Sequence, residues 1–262
     1  PAVNMDTGFV DLIDGATAGE VLARTAAIQG GERFVAGACV RDRPGDPLAL
    51  DAYAREMAAI ASAGGTPIVF PSYGLSSGDP VASYERLASE CDAFLGFELG
   101  EVFNPAGRIF APESFRAILD IPQCVGLKHS SLQREPEWDR LALRDEVRPE
   151  FALYTGNDLA IDMVMYGSDY LLGLSTFAPA AFAQRDRHWA DGDAAFYELN
   201  DLLQFLGQVA FRPPIRAYKH SAAQFLYVCG LLPTPSTAPG TPRRPDSDIE
   251  ILTDIARRLG LA

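Results

Sequence analysis

The sequence predicts an α/β fold, a (β/α)8 barrel (TIM barrel) with additional C-terminal helices and with its first strand missing from this chain. Three observations predict it. Short, continuously apolar runs alternate with longer amphipathic stretches, the pattern of a parallel sheet covered by helices. Seven such runs can be counted, one short of the eight that close a barrel. The doubly wound alternative would need a glycine-rich phosphate loop after its first strand, and the chain has neither GxGxxG nor GxxxxGK.

Each element follows from its own pattern. Ala2-Val3 is the tail of a strand, and Phe34 to Val40 is a buried strand. Pro47 to Ala63 is a helix, because Leu48, Tyr53, Met57 and Ile60 recur near helical spacing and Gly64-Gly65 stops it. Thr66 to Phe70 is the next strand, Pro80 to Cys91 a helix, and Ala93 to Phe97 a strand. Pro112 to Leu119 is a helix, with Pro112 and Glu113 both at favoured early positions. Gln123 to Leu127 and Phe151 to Tyr154 are strands, Asp158 to Tyr166 a helix, and Tyr170 to Leu174 the seventh strand. From Ala180 the alternation stops. Residues 191–207, 214–230 and 249–259 read as helices, and residues 233–245, rich in Pro, Thr and Ser, as a loop. The expected division is a barrel over residues 1–180 and a helical extension over residues 181–262. The chain opens on Pro1, and the strand count leads us to expect the first barrel strand upstream of it.

Composition narrows the function. A net charge of −13, from 35 acids against 22 bases, repels phosphate backbones and anionic membranes. It does not exclude an anionic small substrate, because a pocket can be locally positive. Cys39, Cys91, Cys124 and Cys229 form no CxxC pair and read as reduced thiols of a cytoplasmic protein. No apolar run reaches the ~18 residues of a membrane span. The three histidines, His129, His188 and His220, form neither HxH nor HExxH. Asp6, Glu98 and Asp158 have no spacing that demands a cation, so neither metal nor cofactor is expected. No GxSxG elbow supports a serine hydrolase.

Only two of the 22 basic residues are lysines, Lys128 and Lys219. Lys128 directly follows the apolar run Cys124 to Leu127, at the strand end where barrels carry their chemistry. Apolar walls around an amine disfavour the ammonium, and a neutral amine is the nucleophile of Schiff-base chemistry on a carbonyl. A lysine snorkelling at a strand end fits the same position. Lys219 falls in an amphipathic helix and reads as structural. His129, next to the lysine, should point to the opposite face and reads as structural or supporting.

Gly126-Leu-Lys128-His-Ser130 resembles the G-[IL]-K-x-[AS] strand of the dihydrodipicolinate synthase / N-acetylneuraminate lyase family of class I aldolases. Pro71-Ser-Tyr-Gly74 is similar to the family's P-Y-Y-N, and Tyr154-Thr-Gly-Asn-Asp158 to its S-G-D-D turn. Tyr170 to Pro179 resembles its G-V-I-S-x-x-x-N-x-x-P segment, and Arg212-Pro-Pro-Ile-Arg216 with Gly230-Leu its N-P-x-P-x-K…L-G-L tail. The resemblance implies a TIM barrel, an imine between Lys128 and a 2-oxo acid such as pyruvate, and a homo-oligomer, dimer or tetramer. It implies substrate-binding positions at Thr7, Gly8, Gly156 and Leu172, a proton relay at Tyr73, and a carboxylate-binding arginine at Arg108.

Two positions depart from the family. Met5-Asp-Thr-Gly-Phe9 stands where the family has G-T-T-G-E, so Asp6 occupies a threonine position in the carboxylate-binding turn. Phe97-Glu-Leu-Gly100 stands where the family reads Y-N-V-P, and Phe97 cannot transfer a proton. Glu98 would serve as acid/base if a bulge turned it inward, and is otherwise an ion-pair partner. The expected activity is a Schiff-base lyase or aldolase that makes or breaks a C–C bond of a 2-oxo acid. A 2-keto-3-deoxy-sugar-acid dehydratase working through the same imine, and a barrel that binds such acids without turnover, are the alternatives.

Overall fold

The computed structural model describes residues 1–262, which divide into two compact units. One comprises residues 1–156 and 163–171, the other residues 157–162 and 172–262. The second unit thus takes in 157–162 and 172–180 as well as the residues beyond 180.

The first unit is built on a seven-stranded sheet: β1 (Ala2–Val3), β2 (Phe34–Ala38), β3 (Gly65–Val69), β4 (Phe94–Leu99), β5 (Cys124–Ser130), β6 (Ala152–Thr155) and β7 (Asp169–Tyr170). Spatial order equals chain order and every neighbouring pair is parallel. Helices connect most of these strands: α1 (Gly15–Gln29), α2 (Leu50–Ser62), α3 (Tyr73–Ser76), α4 (Pro80–Ala88), α5 (Pro112–Ile118) and α6 (Arg134–Val147). This is the winding of a (β/α)8 barrel, as the sequence predicts.

Local chemistry accounts for the elements. In α2 the buried residues are Tyr53, Met57 and Ile60, the stripe read from the sequence, and Tyr53 donates its hydroxyl to the Phe70 carbonyl at 2.7 Å. Asp79 accepts from the Val81 N–H and Pro80 occupies the first turn of α4, whose Tyr84 and Leu87 are buried. Pro112 and Glu113 open α5 as expected. Helix α1 is capped by Asp14, which accepts from the Thr17 N–H at 2.7 Å, and buries no residue. A helix without a buried stripe leaves no apolar period, which is why the sequence gives no sign of it.

Two elements are shorter than expected. The predicted helix from Asp158 is a 3-10 turn over Ile161–Tyr166. The predicted strand 170–174 is confined to Asp169–Tyr170, after which the chain makes another 3-10 turn over Leu174–Thr176. At the end of the second stretch a side chain stands in for a sheet neighbour: Asp158 takes the Leu174 N–H at 2.7 Å.

The second unit contains α7 (Pro179–Ala190), α8 (Ala195–Ala210), α9 (Tyr218–Val228) and α10 (Asp248–Arg258). Phe177 meets Phe225 at 5.8 Å between ring centroids, and Phe211 stacks on Tyr218 at 4.5 Å. Arg185 is fully buried and donates to the Ile161 carbonyl at 3.0 Å. Arg244 is 5% exposed and caps the carbonyls of Ala210, Arg212, Pro213 and Pro214. Lys219 is buried in α9. No helix is long and apolar enough to cross a membrane.

Candidate active site around Lys128

Register builds this site. Lys128 on β5 lies opposite Phe97 on β4 and Tyr154 on β6. Paired residues of parallel strands share a face, so the three side chains line one face of the sheet. The Lys128 Nζ stands 4.6 Å from the Phe97 ring centroid, within cation–π reach. Phe97 is itself fixed. Its ring meets Phe70 edge-on at 5.6 Å, and its N–H donates to the Tyr84 hydroxyl at 3.0 Å. Burial pushes the Tyr84 phenol well above its ordinary value, so that oxygen stays a neutral acceptor.

Gly156 explains why the lysine can lie as it does. A Cβ there would come 1.9 Å from Ser130 Oγ, 2.5 Å from Lys128 Cε and 3.1 Å from the His129 carbonyl. Only glycine leaves that room. Its N–H donates to the His129 carbonyl at 2.7 Å, which ties the β6 end to the lysine strand. Lys128 is 9% exposed, and Ser130, two residues on and on the same face, is 2% exposed.

Glu98 lies on the other face. The β4–β5 register does shift, but at Phe94/Leu95, and it runs regularly from Leu95 to Leu99. The bulge that would turn Glu98 toward Lys128 is therefore absent at the residue that needs it. Glu98 pairs in register with His129, whose Nδ1 lies 2.6 Å from Glu98 Oε2. An ionised carboxylate only accepts, so Nδ1 carries the proton and donates. Arg140 of α6 donates to Glu98 at 2.8 and 3.2 Å, and the Phe110 N–H donates at 2.8 Å. Burial alone raises the Glu98 pKa, but the hydrogen bonds and charges of His129 and Arg140 outweigh it and hold the carboxyl below its usual value. That arrangement supports the ion-pair reading of Glu98 and not the proton-relay one. The other His129 nitrogen lies 2.8 Å from Ser131 Oγ.

The remaining candidates are placed by strand ends. All strands run parallel, so the segments after them share one rim. Asp6, Thr7 and Gly8 form a 3-10 turn after β1, closed by Phe9 in the left-handed region. Tyr73 opens α3 after β3, its N–H held by Asp42 at 2.8 Å. Asp42 also takes the Gly74 N–H at 2.7 Å, and a Cβ on Gly74 would sit 2.3 Å from the Pro47 carbonyl. Arg108, after β4, is exposed and donates to the carbonyls of Gly78 at 2.7 Å and Ser76 at 3.3 Å. It lines a narrow cleft with Leu75, Pro80, Phe97 and Phe110. Leu172 belongs to the second unit. The structure thus brings Phe97 and Gly156 against Lys128, keeps Thr7, Gly8, Asp6, Tyr73 and Arg108 on its rim, and sends Glu98 to the opposite face. Sequence reasoning missed Ser130 and Tyr154 as neighbours of the lysine, although two-residue alternation from Lys128 and Gly156 marks both. No group of three or more His, Cys, Asp and Glu side chains is gathered to hold a metal ion.

No family model matches the chain. A curated 4-hydroxy-tetrahydrodipicolinate synthase from Parasynechococcus marenigrum is 27% identical over 154 residues, which is 58% of this chain and 50% of that protein. The match thus spans about half the length of that relative. Among solved structures, a dihydrodipicolinate synthase from Thermotoga maritima superposes with a TM-score of 0.81 at 16% identity, covering all of this chain and 87% of that one. A prophage protein of the dihydrodipicolinic acid synthase family from E. coli, solved with pyruvate, gives 0.82 at 13% identity over all of this chain and 87% of that one. An N-acetylneuraminate lyase from Mycoplasma synoviae gives 0.74 at 14% identity, covering 98% and 84%. The resemblance read from the lysine strand and its flanking motifs therefore holds at the level of architecture: this chain has the fold of the dihydrodipicolinate synthase / N-acetylneuraminate lyase family.

Proposed function

We propose that the protein is a class I lyase or aldolase in which Lys128 forms an imine with a 2-oxo acid. The observation that carries this reading is the lysine itself. It is one of two in the chain, it is 9% exposed on a barrel strand, and it lies in a slot that only a glycine at 156 leaves open. A surface lysine snorkelling from a strand end needs no such slot. The pyruvate bound to the E. coli relative supports a small 2-oxo acid as the carbonyl partner.

In this reading Lys128 Nζ attacks the ketone carbon, and loss of water gives the imine. Once protonated, the imine withdraws electrons from the adjacent carbon, so a C–C bond there can break or form. Thr7 and Gly8 bind the carboxylate at the rim, with Arg108 offering a second anionic contact and Tyr73 a hydroxyl. Asp6 in the carboxylate turn disfavours a bare carboxylate and argues for a substrate that donates a hydrogen bond there. A second reading, a barrel that binds such acids without turnover, is favoured by one observation: Phe97 puts a ring without a hydroxyl beside the lysine.

Borohydride trapping with pyruvate and a panel of 2-oxo and 2-keto-3-deoxy acids tests the proposal, read by intact-mass and peptide mass spectrometry. A reduced adduct on Lys128 that is absent from Lys128→Ala is the expected result. A folded protein that yields no adduct with any member of the panel overturns it. Adduct without multiple turnover on any aldol or dehydration substrate selects the binding-only reading.

A further inference from the structure

Phe97 leaves the lysine without the hydroxyl that imine chemistry uses to shuttle protons, so another group must carry them if the reaction runs. Buried polar atoms are nearly always hydrogen-bonded, and each exception calls for an explanation. Five buried side-chain atoms in this protein have no hydrogen-bond partner, and Ser130 Oγ is the only hydroxyl among them. It lies two residues beyond Lys128 on β5, hence on the same face. It is also close: Ser130 Oγ and Lys128 Cε both crowd the position a Gly156 Cβ would take, at 1.9 and 2.5 Å from it. A serine hydroxyl both donates and accepts, which a relay requires and a phenylalanine ring lacks. Tyr154 is the other hydroxyl in register with the lysine. It is only partly buried, whereas Ser130 Oγ is buried and crowds the same point as the lysine stem.

We propose that the Ser130 hydroxyl carries the proton between nitrogen and oxygen as Lys128 condenses with a 2-oxo acid. The proposal rests on the Schiff-base reading above. In the first step the Lys128 nitrogen bonds to the ketone carbon and the C=O π bond opens. A nitrogen proton passes to Ser130 Oγ while the serine proton passes to the substrate oxygen, giving a neutral carbinolamine. In the second step the C–O bond breaks and the C=N bond forms. Ser130 again takes the nitrogen proton and gives its own to the departing oxygen, which leaves as water. Serine ends each step as it began, so no other acid or base is consumed.

The test follows the growth of the reduced adduct in time, with pyruvate or the panel acid that gives most adduct, for the wild type, Ser130→Ala and Ser130→Thr. Ser130→Ala removes one oxygen from a packed site and should fold. It is expected to reach the wild-type adduct level at least about tenfold more slowly, the low side of what a positioned proton carrier supplies. Ser130→Thr keeps the hydroxyl and is expected to stay within about threefold of the wild-type rate on the same scale. An unchanged rate in Ser130→Ala overturns this proposal and leaves the Lys128 assignment standing. Slow growth in both variants makes Ser130 a packing residue and also overturns it. No adduct in the wild type with any acid of the panel removes the Schiff-base reading itself, and this proposal with it.

Discussion

Replacing Glu98 with glutamine removes the charge from the buried cluster behind the lysine strand, and the structure fixes what that should cost. Glu98 is fully buried and accepts four hydrogen bonds, from Phe110 N–H, His129 Nδ1 and two Arg140 nitrogens. Glutamine is isosteric but turns one of the two oxygens into an NH2 donor. That NH2 must then face either His129 and Arg140 Nε or Phe110 N–H and Arg140 Nη2, donor against donor in both cases. Arg140, 2% exposed, is left without its counter-charge. Breaking a buried ion pair on one side costs about 3–5 kcal/mol, so a fall in melting temperature of roughly 10 °C is expected. The pH dependence has a definite sign. The folded carboxyl is held below its usual value of 4.5, so its contribution is complete above that pH and is lost as pH falls through the lower, folded value. Glu98→Gln should therefore flatten the acid limb of the wild-type stability curve. Thermal melts across pH 2–7 measure both effects, with borohydride trapping on the folded variant as the companion assay. Normal stability together with turnover lowered at least about tenfold, or ~1.4 kcal/mol in barrier, would refute the placement of Glu98 and return it to the chemistry.

Other outcomes follow from the same packing. Gly156→Ala should destabilise by about 1–3 kcal/mol and slow adduct formation, because its Cβ meets Ser130 and Lys128. Adding Ser130→Ala should recover part of the stability, a non-additivity that a melting cycle would detect. Arg244→Lys should lower stability by about 1–3 kcal/mol, since one ammonium cannot serve the four carbonyls the guanidinium caps. Denaturant titration checks this, and an unchanged midpoint would count against it. Burial pushes Cys124 up to about 12 and Cys39 up to about 11. Both thiols should react with iodoacetamide at pH 8 far more slowly in the native protein than in urea, and equal rates would show the burial to be wrong.

The strands were legible because a sheet buried on both faces writes itself as unbroken apolar runs, as in Phe34 to Ala38 and Cys124 to Leu127. Helix α2 was legible by its stripe of Tyr53, Met57 and Ile60. Three helices left no such mark. Helix α1 buries nothing, and α6 buries Glu137 and Arg140 beside Leu141, so charge sits where a periodic reading looks for apolar residues. Helix α7 likewise buries Arg185 with Phe182. A buried charge is stable only with partners brought from elsewhere in the chain, such as Glu98 for Arg140 and the Ile161 carbonyl for Arg185. No local window contains that information.

The same limit explains Phe97 and Glu98. Their adjacency in the chain gives them opposite faces, and which of them meets Lys128 depends on where the strand slips against its neighbour. The slip lies at Phe94/Leu95, beside Gly126, whose missing side chain lets Leu95 and Ala152 close in: a Cβ there would lie 2.6 Å from the Ala152 carbonyl and 3.0 Å from Leu95 Cδ2. From that point on, regular pairing carries Phe97 to Lys128 and Glu98 to His129. A slip four residues later would have set Glu98 against Lys128 and Phe97 against Leu127, on the face that holds His129. The place of that slip decides that the lysine faces an apolar ring on the next strand. In the proposed imine chemistry, that ring leaves the proton transfer to Ser130, two residues on along the lysine's own strand.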